Sequence, residues 1–166
     1  VPNRRLLVDR LSQALAHAKR SGRFLAVCYF DLDAFKPVND QLGHDAGDQL
    51  LVEMTCRLQT LLRAGDTLAR MGGDEFVLLL SDLEQDTECF DILERILANI
   101  RTPIIIKNQS FPVPVAVSAS IGVTLYPHDD AEPGILLRHA DEAMYQAKEA
   151  GKNCCHLWAA SAGSPR

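Results

Sequence analysis

Residues 70–80 read RMGGDEFVLLL, and the reading of the whole chain turns on them. Two consecutive glycines and two acids run directly into Phe76–Leu80, an apolar run of strand length. Asp66–Arg70 also reads as a short strand. Gly72-Gly73 therefore predicts a tight hairpin, because glycine accepts positive φ without a Cβ penalty. Asp74 and Glu75 then fall at the hairpin tip or at its first pair. Two acids beside a buried strand are costly to desolvate unless a counter-charge offsets them. A divalent cation is one such counter-charge; an acidic surface turn is the other reading of these residues alone.

The bulk properties narrow the field. At 166 residues the chain predicts one domain of ordinary size with room for a substantial core. Lys and Arg number 17 against 22 Asp and Glu, a net charge of -5 that argues against DNA or RNA binding but not against one phosphate-bearing ligand. No apolar run approaches the roughly 20 residues of a membrane span, and no signal-peptide pattern is present. The five cysteines (28, 56, 89, 154 and 155) are odd in number and lack C-x-x-C spacing, which predicts reduced thiols in a cytoplasmic domain. The opening VPNRR, with no initiator Met, reads as a domain cut from a longer protein, one that a membrane can anchor elsewhere.

Taken in order, Pro2–Arg20 has the helical spacing of Leu7, Leu11, Leu15 and Ala18, with Asn3 as candidate N-cap. Phe24–Leu32 is a nearly continuous apolar run, the pattern of an inner strand covered on both faces. It ends in Asp31-Leu32-Asp33, and period two puts both carboxylates on one side. Oxygen ligands at a sheet's edge suit Mg²⁺. A short helical segment, Phe35–Gln41, precedes a longer helix over 46–62 that Asp45 is expected to cap. After the hairpin come an acidic loop at 82–86 and a helix over 88–100. Two short strands follow at 103–106 and 111–115, joined through Lys107–Ser110, then a core strand over 115–125 in which Gly122 marks a bulge or a close approach. A last helix over 135–150, in which Tyr145 is assigned to packing, a strand over 153–158 and an Ala/Ser/Gly-rich flexible tail (159–166) complete the chain. The fold class is α+β: a central, mostly antiparallel sheet with surrounding helices.

Three segments together carry a resemblance: FDLDAFKPVNDQLGHDAGDQLL (30–51), RMGGDEF (70–76) and ADEAMYQAKEAGKN (140–153). They resemble the diguanylate cyclase, or GGDEF-domain, family over nearly the whole chain. The resemblance implies a βαββαβ sheet like that of nucleotidyl cyclases and polymerase palm domains. It also implies condensation of two GTP into cyclic di-GMP with release of pyrophosphate, across a homodimer whose upstream sensory or dimerisation domain is absent here. Residue by residue, it makes Asp31, Asp74 and the Leu32 carbonyl ligands of Mg²⁺ or Mn²⁺. Glu75 takes the place of the catalytic glutamate, beside the ribose 3′-hydroxyl and the metal. Asn39 and Asp48 match guanine-reading positions; a carboxylate accepts guanine's N–H groups as adenine's edge does not allow. Lys148 and Lys152 match phosphate-binding positions, Lys152 where the family usually has Arg, and Lys36 adds charge beside the triphosphate. Gly72 and Gly73 leave space for the nucleotide.

Arg63-x-x-Asp66 matches the family's product-inhibition site, where arginine pairs with a guanine edge or phosphate and aspartate takes guanine N–H groups; a solvated helix-end Arg beside a strand-starting Asp is the plainer reading. The competing functional reading is a catalytically silent module that binds GTP or cyclic di-GMP within a protein that also carries a phosphodiesterase domain.

Overall fold

A strand reading FLAVCYF before its first charge has to be covered on both faces, and it lies at the middle of the sheet. The computed structural model describes residues 4–107 and 111–160. The Asn3 cap, the turn at 108–110 and the tail beyond 160 lie outside them. The order of elements is α1 (Arg4–Ser21), β1 (Phe24–Asp33), α2 (Phe35–Leu42), α3 (His44–Leu61), β2 (Thr67–Gly72), β3 (Glu75–Leu83), α4 (Glu88–Arg101), β4 (Ile104–Ile106), β5 (Val113–Val115), β6 (Ser118–Tyr126), α5 (Pro133–Glu149) and β7 (Cys154–Leu157).

Five strands form the main sheet in the order β2-β3-β1-β6-β7, antiparallel except for β7, which runs parallel to β6. The βαββαβ core is thus present, extended by α5 and β7. One face buries Ala26, Cys28, Phe30 and Leu32 beneath α3 and α4. The other buries Leu25, Val27 and Tyr29 beneath α1 and α5. β4 and β5 make a separate hairpin. Among the described residues, no helix is long and apolar enough to cross a membrane.

Several sequence expectations need correction. The strand after the hairpin runs to Leu83 instead of giving way to a loop at Asp82. Phe24↔Leu83 and Ala26↔Leu80 leave one extra residue on β3, a bulge that Asp82 accommodates at φ 55°. Asp45 does not cap α3: the helix starts at His44 with Gly43 as N-cap, and Asp45 sits in its first turn. Tyr145 is 62% exposed and packs little.

Gly122 marks a close approach, not a bulge. A Cβ there would stand 2.1 Å from both the Ala140 carbonyl oxygen and the Met144 nitrogen of α5. Backbone atoms cannot yield as a flexible side chain can, so α5 rests directly on β6 at this point. Gly122→Val is therefore expected to destabilise the domain by about 3 kcal/mol or more, since overpacking against backbone must shift a whole helix. Denaturant unfolding measures it, and a loss below about 1 kcal/mol would contradict the close contact.

Candidate active site

The hairpin places the acids. β2 and β3 close with Gly72 opposite Glu75, which leaves Gly73 and Asp74 as the connecting residues. Gly73 stands at φ 51°, a left-handed conformation that glycine adopts readily. A Cβ added at Gly72 or Gly73 would meet no atom within 4 Å, so the space outside the tip is open.

β3 pairs with β1 so that Asp31 is directly opposite Glu75. Phe30 and Phe76, the preceding pair, stack at 5.1 Å with 13° between their planes on the α3/α4 face. Beyond the last pair, the Leu32 N–H donates to the Asp74 carbonyl at 3.2 Å, which ties the hairpin tip to the end of β1. The structure thus brings Asp31, Leu32, Asp74 and Glu75 together from two segments more than 40 residues apart.

Asp31 is buried, and burial pushes its carboxyl above the ordinary 3.8, with the charges of Asp74 and Asp33 adding to the effect. Lys148 of α5 opposes this with an ion pair to Asp31 Oδ2 at 2.5 Å. Burial alone would lower the Lys148 ammonium, but the hydrogen bond to Asp31 and the charges of Asp31, Asp33 and Asp74 carry it above 10.5. Asp31 Oδ1 is buried with no hydrogen-bond partner. An unpaired carboxylate oxygen beside two further acids fits a hard cation, which takes oxygen ligands. Among the described residues no group of three His, Cys, Asp or Glu side chains is already gathered into a cation cage; Lys148 is the positive charge next to Asp31.

Asp33 plays a different part from its neighbour. Its two oxygens accept from Ser118 Oγ and Ser120 Oγ, each at 2.7 Å, and from the Asn153 N–H at 3.0 Å. That set satisfies the carboxylate within the protein and leaves Asp31 as the acid of this strand end with an unpaired oxygen.

An open cleft of about 760 Å³ lies beside this cluster, lined by Asp31, Glu75 and the α5 residues Asp141, Tyr145 and Lys148. Asp48 is not in it. Asp48 lines a separate recess of about 460 Å³ with Gln49, Ile104 and Lys107. Asn39 is half-buried on α2 and lies against α3: a Cβ at Gly47 would stand 1.8 Å from Asn39 Oδ1. Gly47 therefore lets the Asn39 side chain lie against α3, a role that sequence reasoning missed although GHDAGD contained the signal. Lys36 is exposed, and Lys152 stands at φ 66° in the turn after α5. The helix ends at Glu149, so Lys152 does not continue the helical face of Lys148.

Tyr29, a core residue like Phe30, also has a part in the site that sequence reasoning missed. It lies on the opposite face, and its hydroxyl donates to Glu75 Oε1 at 3.3 Å. Burial, Glu75 and Asp141 push the phenol up to about 12, so it stays protonated as a donor.

Arg63 and Asp66 form a closed turn. Asp66 accepts the Arg63 N–H and the Ser81 N–H, both at 3.0 Å, while the Arg63 guanidinium donates to the Ser81 carbonyl and lies 3.7 Å from Asp66. The Asp66 side chain is only 3% exposed, whereas that of Arg63 is 52% exposed.

A family model described as "Diguanylate cyclase, GGDEF domain" matches residues 1–154. The chain belongs to the GGDEF family. Among its relatives, the bifunctional diguanylate cyclase/cyclic di-GMP phosphodiesterase MucR of Pseudomonas aeruginosa is 45% identical over 92% of this chain and 22% of MucR. Diguanylate cyclase TpbB of the same species is 41% identical over 95% of this chain and 35% of TpbB. The GGDEF domain thus spans well under half the length of either. The crystal structure of the TpbB (YfiN) GGDEF domain matches it with a TM-score of 0.91 at 40% identity, covering 97% of this chain and 98% of that one. The family's reaction requires a divalent cation.

The buried Asp31 gives this GGDEF domain a pH signature. Because its folded-state value is raised, the folded form holds the proton more tightly than the unfolded form. The associated stability is present below pH 3.8 and is lost as pH rises through the raised value. In EDTA, Asp31→Asn, which cannot ionise and keeps an acceptor for Lys148, is expected to be more stable than the parent at pH 7. The gap should close as pH falls toward 3.8. Denaturant midpoints across pH measure it; an equally large gap at low pH would contradict the assignment.

Proposed function

We propose that this GGDEF domain is a diguanylate cyclase, joining two GTP into cyclic di-GMP. The observation that carries the reading is the Asp31–Glu75 pair with Asp74 and Lys148 around it. It lies in a chain whose relatives include proteins named as diguanylate cyclases. In each half-reaction a ribose 3′-oxygen of one GTP bonds to the α-phosphorus of the other, the bond to pyrophosphate breaks, and the hydroxyl proton leaves. Two such events close the ring and release two pyrophosphates. One domain holds one GTP, so two domains face each other as a homodimer, and turnover depends on that proximity.

Asp31, Asp74, Glu75 and the Leu32 carbonyl would hold Mg²⁺ or Mn²⁺, a set of hard oxygen donors consistent with the unpaired Asp31 Oδ1. Bound there, the cation supplies charge neutralisation for the triphosphate and polarisation of the α-phosphate. Glu75, oriented by the Tyr29 hydroxyl, accepts from the attacking 3′-hydroxyl. Lys148 exchanges a carboxylate partner for a phosphate oxygen, with Lys152 and Lys36 adding charge along the triphosphate. Gly72 and Gly73 leave the tip open to the nucleotide. Asn39 and Asp48 read the guanine edge from the α2–α3 junction, and Asp48→Ala should weaken GTP without a matching loss for other nucleotides.

The test is cyclic di-GMP formation from GTP and Mg²⁺. Glu75→Gln is expected to lower turnover by about a thousandfold, the scale of a lost general base, while GTP still binds. GTP binding without product by the unaltered protein in its dimeric state would overturn the cyclase reading. It would favour the alternative, a silent GTP- or cyclic di-GMP-binding module in a longer protein.

Arg63 and Asp66 are proposed as the product-inhibition site. The Arg63 guanidinium is half-exposed, donates to the neutral Ser81 carbonyl and stands 3.7 Å from Asp66, a loose set of partners for which an anionic ligand can compete. Arg63→Ala is expected to raise the cyclic di-GMP concentration needed for half-inhibition, and an unchanged value would refute the assignment.

A further inference from the structure

The turn that joins α5 to β7 carries three consecutive residues at positive φ: Gly151 at 119°, Lys152 at 66° and Asn153 at 50°. Glycine adopts such a conformation freely, but Lys and Asn do so at a cost, so surrounding contacts must hold them there. Local capping accounts for the first part: the Gly151 N–H donates to the Lys148 carbonyl at 3.3 Å and the Lys152 N–H to the Ala147 carbonyl at 3.0 Å.

Asn153 is held from outside the turn at three atoms. Its N–H donates to Asp33 Oδ2 at 3.0 Å. Arg101 Nε donates to its side-chain Oδ1 at 2.6 Å, and Arg101 Nη2 reaches its backbone carbonyl at 3.4 Å. Arg101 ends α4, which covers the opposite face of the sheet from α5. Its guanidinium therefore passes the sheet edge at the start of β7. A planar fork that engages both a side chain and its own backbone fixes a residue's conformation in a way a point charge does not.

The turn is thus bracketed over the acidic end of β1. Lys148 ahead of it pairs with Asp31, and Asn153 after it hydrogen-bonds to Asp33. Lys152 lies between these two anchors. The geometry points to Arg101 as a positioning residue for the phosphate end of the site: by clamping Asn153, it locks the left-handed turn that presents Lys152. This rests on the proposed assignment of Lys152 to the triphosphate. Among the described residues, Arg101 donates to Asn153 and not to Asp31 or Glu75.

The test compares Mg²⁺-dependent binding of a GTP analogue, with a methylene between its α and β phosphates to prevent turnover, against guanosine alone. Arg101→Ala is expected to weaken the analogue about tenfold, the scale of one lost charge-assisted contact, and to leave guanosine unchanged. Arg101→Lys should behave like the alanine variant, because charge without the fork does not clamp Asn153. The double variant of Arg101→Ala with Lys152→Ala should bind no more weakly than Lys152→Ala alone, since both act through one contact. Should Arg101→Ala fail to fold, Arg101→Lys carries the same comparison. Parent-like analogue binding by Arg101→Lys, or additive losses in the double variant, would overturn the inference. A parent chain that binds the analogue no better than guanosine would instead overturn the nucleotide assignment itself.

Discussion

Everything at the acidic end of the sheet depends on the register between β1 and β3. The pairing sets Asp31 against Glu75, with the Phe30–Phe76 stack immediately before it. A slip of one residue would turn those aromatic rings out of the α3/α4 core and send the acids to the wrong face. The hydrophobic alternation on both faces therefore specifies the acidic site as firmly as it specifies the core. The Leu32–Asp74 backbone hydrogen bond extends that constraint past the last strand pair, so the hairpin tip moves with β1.

That same register concentrates negative charge where burial makes it expensive. Asp31 is raised above its ordinary range even with Lys148 beside it, and one of its oxygens has no partner. Its neighbour Asp33, two residues on, is fully satisfied by two serine hydroxyls and a backbone N–H. The contrast separates a carboxylate satisfied within the protein from one that keeps an unpaired oxygen. Sites that retain unpaired buried charge give up stability for function.

The elements around the cluster are located by close backbone approaches. Gly122 lets α5, and with it Lys148, rest on β6, while Gly47 lets Asn39 of α2 lie against α3. The Arg63–Asp66 turn is likewise a packed object, with the aspartate buried in local hydrogen bonds and only the arginine facing outward. Each helix that carries a candidate binding residue is thus held against a surface whose shape leaves it little freedom.

Much of this was legible in the sequence. Apolar runs and helical spacing placed the helices and the main strands, because burial is periodic along a chain and the period is visible in one dimension. The hairpin acids and the Asp31 strand end were also legible, because they stand in motifs with local spacing. What the sequence could not reveal was which nearby groups complete those motifs. Asp31 and Asp33 are equivalent by period, yet Ser118, Ser120 and Asn153 claim one and leave the other, and those partners lie more than 80 residues away. Tyr29 read as core because its apolar neighbours do; only the pairing of β1 with β3 brings its hydroxyl to Glu75. Arg101 read as an ordinary helix end until the sheet edge brought it to Asn153. By itself the sequence determined the elements and the acidic hairpin, since these follow from local burial and turn chemistry. Only the tertiary structure decided which carboxylate keeps an unpaired oxygen and which lysine pairs with it, because hydrogen-bond partners are set by contact in space and not by spacing along the chain.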